Sequence, residues 1–348
     1  MSSSKRIQSP YIASPFYDWF FFILAPLWAL LLGIALSKTF LADYRISFGN
    51  PGEKRPFLLD ILLGILVHAH LAAVFLRSHA NPGIFRLYRL RFTAVPILLY
   101  IAMLLSDVAL ISITVLIVFW DVYHSSLQTF GLARIYDRNE GNDPNIGRSL
   151  DLWLNHLMYI GPIIGGAAML AHFKKFELFE EIDWPFFSKI PAYLKSHQLY
   201  LSYGLIAGGT LFLIYYLWAY RAYSKKGLKI SRQKIILLGS TGFCSIYTWG
   251  LNSFGQAFLI MNTFHALQYL ALVWHQEGRR IQSNLKNQGF KRIAALALPF
   301  FIIGLIAYGY FAERIPDDNR LLWCIPQVVS IMHFWYDGFV WSVRKKQI

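Results

Sequence analysis

Apolar residues fall in long runs along the chain, separated by short polar or basic stretches. A helix needs roughly 20 mainly apolar residues to cross the hydrocarbon core of a bilayer. Ten runs reach or approach that length: 16–37, 57–78, 92–105, 107–136, 150–172, 198–220, 235–252, 256–277, 293–311 and 321–343. The third is short and joins the fourth through Ser106-Asp107, and the seventh is interrupted by Gly and Ser. The expected fold is therefore all-α, a polytopic membrane bundle of nine to ten transmembrane helices. Residues 1–15 are expected as a cytoplasmic N-terminal segment, 16–343 as a single transmembrane domain and 344–348 as a cytoplasmic tail. Within the domain, residues 173–197 form the largest loop. There Phe176, Phe179, Trp184 and Phe187 alternate with charges, as in an amphipathic segment lying on the non-cytoplasmic surface.

Composition narrows the class. Hydrophobic residues are 56% of the 348 and charged residues 15%, against about 25% charged in a soluble domain. That excludes a soluble globular enzyme and a disordered chain. The net charge of +14 would point to nucleic acid in a soluble protein. Here the basic residues lie between apolar spans. Assigned alternately to two sides, the loops give 23 Lys and Arg to the side of the N-terminus and 10 to the other. Positive residues stay in the cytoplasm, so both termini are expected there, and a bacterial inner membrane is the expected location. No nucleic-acid partner is expected. Cys244 and Cys324 lie far apart and form no CxxC pair, so no disulfide framework is read.

The ten histidines carry the candidate chemistry. Ionisable groups inside membrane helices are expensive and mark functional sites. His68, His70, His124, His265 and His333 lie on helices two, four, eight and ten. On the expected topology His70, His124 and His333 sit roughly 10–17 Å inside the cytoplasmic basic residues, at 1.5 Å of rise per residue. Asp121, His124 and Gln128 share one helix face, as do His333 and Asp337, and Asn262, His265, Gln268 and Tyr269 run along one side of helix eight. Imidazoles and carboxylates from several helices are what a bundle metal site requires. The donor set suits iron, with zinc or manganese as alternatives. His68 and His70 are separated by about 200° and cannot face one site on a regular helix; His70 is favoured for depth, with His68 next. His79, His156, His275, Gln128 and Gln268 are further ligands or groups that orient ligands. The bland alternative is that each histidine packs and hydrogen-bonds across helices; it carries most weight for His79, His156 and His275, near the interface.

In the layout of these histidines the chain resembles the multi-histidine integral-membrane non-haem iron enzymes. These include fatty-acid desaturases and hydroxylases, alkane hydroxylases and bacterial carotene-cleaving oxygenases. The likeness is one of layout; the chain has no HxxxH or HxxHH box. It implies an oxidase or oxygenase that uses one or two non-haem iron ions and dioxygen on a lipid-like or other apolar substrate. The ligands would be His68 or His70, His124, His265 and His333, with Asp121 and Asp337 as ligands or their supports. Tyr123, Tyr269 and Tyr336 would donate hydrogen bonds or line the cavity. No flavin, nicotinamide or iron–sulfur motif is present, so the electron donor would be a separate partner. Two alternatives stand beside this reading: a b-type haem protein with two axial histidines, and a transporter or channel relaying protons or ions through His and Asp.

Overall fold

The computed structural model describes residues 9–45, 57–252, 254–316 and 318–341. The expected tail 344–348 and residues 1–8 of the expected N-terminal segment lie outside them. Among the described residues every element is helical except one isolated antiparallel bridge between Arg45 and Phe57. All ten apolar runs form helices. The main ones are α1 (Ala25–Ser37), α2 (Leu58–Ser78), α3 (Arg89–Leu105), α4 (Asp107–Asn139), α5 (Arg148–Ile164), α6 (Ile190–Lys225), α7 (Arg232–Ser245), α8 (Phe254–Val273), α9 (Ala297–Glu313) and α10 (Arg320–Val340).

Fewer of them have the length and apolarity to cross a membrane than the sequence suggested. Four do so among the described residues: Leu58–Ser78, Asp107–Asn139, Pro185–Lys225 and Ala257–Asn287. Six do so if each of two bent pairs is one span: Pro15–Ile23 with Ala25–Ser37, bent by 55°, and Arg148–Ile164 with Met169–Ile182, bent by 92°. α3, α7 and α9 are shorter than a span. α10 has 21 residues but carries Ser330, His333 and Asp337. The sharper bend follows Pro162, which removes a helix N–H, at Gly165 and Gly166. A Cβ on Gly166 would come within 2.5 Å of the Gly250 Cα, so only glycine allows this approach.

The expected surface loop is more ordered than its polarity implied. Residues Lys174–Ile182 form a 3-10 helix, and α6 begins at Ile190, so His197 lies within a helix. Phe179 is buried with Ile111 and Val115 of α4, flanked by Phe119, Phe176 and Phe187. This apolar anchor holds the segment.

The described residues group into two compact units. The first comprises residues 1–32, 122–174 and 190–265, with α5, α6 and α7 wholly inside it; α5 packs on both α6 and α7. The second comprises residues 33–121, 175–189 and 266–348, with α2, α3, α9 and α10. There α2 packs most extensively on α9 and α10, and α10 also packs on α3. Its core includes Val74, Phe92, Met103, Val328, Met332 and Tyr336. α4 and α8 run through both units, changing over after Asp121 and after His265.

Candidate metal centre

In the second unit α2, α8 and α10 bring four of the candidate residues together. His70 and His333 are fully buried, and their rings meet edge to face, 5.1 Å between centroids. A ligand nitrogen of each lies within 4.8 Å of one on the other. Tyr269 lies against both, with its ring 4.5 Å from that of His333 and 6.2 Å from that of His70.

Three hydrogen bonds define the orientation of this cluster. His333 Nδ1 lies 3.0 Å from the Leu71 carbonyl. A carbonyl only accepts, so Nδ1 carries a proton and Nε2 is the ring atom turned toward Asp337. One turn on, Asp337 Oδ1 accepts from the Tyr269 hydroxyl at 2.8 Å and from the Trp341 indole at 2.9 Å. With Oδ1 held by two donors, Oδ2 lies 3.7 Å from His333 Nε2. A carboxylate and an imidazole thus face each other beside buried side chains, a combination that a shared cation would suit.

In the first unit α4 and α8 supply a second pair. His124 and His265 are buried, and their rings stand perpendicular with 5.1 Å between centroids. Gln128, one turn beyond His124, donates from Nε2 to the His265 carbonyl at 3.2 Å. It thus fixes α8 against α4 at the level of the pair.

The other sequence candidates are placed elsewhere. His68 points away from His70, as the helix angle required, and its Nε2 lies 3.8 Å from Glu313 on α9. His79 has both ring nitrogens engaged, by Ser78 Oγ at 2.8 Å and by the Phe92 carbonyl at 3.1 Å, among aromatic rings. His156 bonds Ser126 Oγ at 2.9 Å and stacks on Tyr123, which is 44% exposed. The contacts of His79 and His156 are those of histidines packed and hydrogen-bonded between helices. Tyr336 is buried with Phe75, His79 and Phe92, and its hydroxyl reaches the Arg91 carbonyl at 3.4 Å. Asp121 closes the second unit's stretch of α4 and is half-buried. His275 is half-buried in the π-turn Trp274–Gly278, and Gln268 is buried beside Tyr269 in sequence.

Two charged clusters were missed in the sequence, where their basic members read as loop topology. In the second unit Glu277, 1% exposed, accepts from Arg77 at 2.5 Å, from Arg280 at 2.6 Å and from Asn81 at 3.2 Å. Arg77 also lies over the Trp341 ring, 4.7 Å from its centroid, behind the indole that holds Asp337. In the first unit Arg134 and Lys234 each pair with both Asp137 and Asp151, at 2.5–2.8 Å. Tyr216 and Tyr220 donate to the other Asp151 oxygen. Arg77 and Arg134 are therefore committed to internal carboxylates. The available signal was the few acidic residues, Asp137, Asp151 and Glu277, that fall on the basic side of the charge count.

Comparison of the chain with family models, with curated proteins and with solved structures gave no match.

Proposed function

We propose that the protein is a membrane-embedded non-haem iron oxidase or oxygenase acting with dioxygen on a lipid-like or other apolar substrate. His70 and His333, with Asp337, are ligands from one unit, and His124 and His265 are ligands from the other. The reading rests on one observation above all. The Leu71 carbonyl orients the His333 ring so that Nε2 lies 3.7 Å from Asp337 Oδ2, beside the fully buried His70. Imidazole and carboxylate are the donors that suit iron among the first-row metals, with zinc or manganese as alternatives. Bound iron would supply dioxygen activation at open coordination positions. The chain's own residues then have defined tasks. Tyr269 and Trp341 hold Asp337 through Oδ1, and the Leu71 carbonyl holds the His333 ring. The surrounding aromatic side chains exclude water and suit an apolar substrate. Tyr269 is the one candidate tyrosine in contact with the buried histidines among the described residues; Tyr123 and Tyr336 are withdrawn from that role by their own contacts.

The haem alternative fits less well. The His70 and His333 rings touch edge to face, which leaves no slab for a porphyrin between them, and the His124–His265 pair has the same geometry. The proposal keeps the expectation of nine to ten helices across the membrane with both termini in the cytoplasm. It requires a separate electron donor. Metal analysis of His124→Ala, His265→Ala and His333→Ala proteins tests it: each loses iron. Unchanged iron in all three variants refutes the proposal.

A further inference from the structure

α5 and α7 run side by side in the same direction. Asp151 of α5 meets Lys234 of α7 at one end, at 2.7 Å. Seven and eight residues further on, a Cβ on Gly242 would lie 3.1 Å from Met158 Sδ. The turns around this stretch carry three polar side chains with no exposure to the surface: Asn155, Thr241 and Ser245. Asn155 Nδ2 donates back to the Asp151 carbonyl at 2.8 Å, which leaves its Oδ1 aimed away from that bond. Asn155 Oδ1, Thr241 Oγ1 and Ser245 Oγ are all buried without a hydrogen-bond partner among the described residues. Thr241 and Ser245 are one turn apart and share a face. Pro162 on α5 has no N–H to give the Met158 carbonyl, so a further acceptor is released in the same stretch.

A buried polar atom without a partner is costly, and native proteins supply the partner. Three on one seam, beside a released carbonyl and an ion cluster, is a polar lining. Water suits it better than a metal ion, because the donors are uncharged and the two carboxylates at its end are already matched by Arg134 and Lys234. Buried water requires two to four polar partners, and a file of waters along this seam finds them. We propose that the α5–α7 seam binds a file of water molecules, running from the Asp151–Lys234 cluster past Asn155 and Thr241 to Ser245, as a hydrated route into the membrane interior of this unit. It stands independently of the metal proposal.

Hydroxyl-radical footprinting of the full chain in lipid nanodiscs tests it, because radicals generated from bound water oxidise the side chains beside it. Met158 is the reporter, and Met103, buried in an apolar core, is the dry reference. Met158 is expected to oxidise well above Met103, and several-fold less in Thr241→Val/Ser245→Ala and in Ser245→Ala alone. Thermal unfolding supplies the second readout. Replacing a hydroxyl that serves bound water lowers the melting temperature, whereas replacing an unpartnered hydroxyl in a dry seam by an apolar isostere raises it. Met158 labelling at the level of Met103, labelling unchanged in the variants, or raised melting temperatures would each overturn the inference.

Discussion

Lys234→Met is the sharpest perturbation of the first unit. The Lys234 ammonium is buried and lies 2.7 Å from Asp137, 2.7 Å from Asp151 and 2.6 Å from the Tyr220 hydroxyl. Methionine keeps the length and apolar stem but removes the charge. Two buried carboxylates are then left to the single guanidinium of Arg134, and the cluster goes from neutral to net negative. Removing one partner of a buried ion pair costs about 3–5 kcal/mol, because the remaining charge stays desolvated. At about 2–4 °C per kcal/mol for a chain of moderate size, the melting temperature should fall on the order of 10 °C. Tryptophan fluorescence during heating in detergent reads the shift. Adding Asp137→Asn restores neutrality, with Arg134 facing Asp151 alone. The double variant should therefore recover part of the loss, with a coupling of about 1–3 kcal/mol. A melting temperature within about 2 °C of wild type for Lys234→Met, or a double variant no better than the sum of its singles, would refute the view that this cluster is a compensated buried network.

Other consequences are equally direct. Gly309→Ala places a Cβ 2.2 Å from the Ile65 carbonyl, where α9 crosses α2; overpacking of this kind costs about 1–3 kcal/mol, and thermal unfolding should show it. Gly304→Ala, on the same helix with open space around it, should be neutral or slightly stabilising. Tyr269→Phe and Trp341→Phe each remove one donor from Asp337 Oδ1. Loss of a group that orients a ligand weakens metal binding by about 10–100-fold, and competition with a chelator should show iron retained in each but held more weakly.

Much of the helical framework was legible in the sequence because long apolar runs and short polar breaks are a local signal. The pairing of His333 with Asp337 was legible for the same reason, since residues four apart share a helix face whatever surrounds them. The separation of His68 from His70 followed from the helix angle, and His68 does face Glu313. What periodicity could not provide was the partner. Trp341 reaches Asp337 by the same four-residue spacing, but Tyr269 meets it only because α8 comes against α10, and no spacing reports that. Tyr336 lies three residues from His333 yet turns to the Phe75–His79–Phe92 stack. Tyr123, next to His124, stacks on His156. Charge counting placed Arg77, Arg134 and Lys234 in solvated loops. Each is buried against a carboxylate distant in sequence, and Coulomb attraction in a weakly screened interior decides that position. The bend between α5 and Met169 depends on one close backbone approach at Gly166, which composition does not reveal.

The central claim is that buried imidazoles and a carboxylate hold non-haem iron. Elemental analysis of the detergent-purified full chain, expressed with iron supplied, tests it most directly when an absorption spectrum is recorded on the same sample. Stoichiometric iron without a Soret band, lost in His70→Ala and His333→Ala proteins that still fold, is the predicted result. Metal-free wild-type protein, or iron retained in full by both variants, would contradict it and leave the histidines as packing groups.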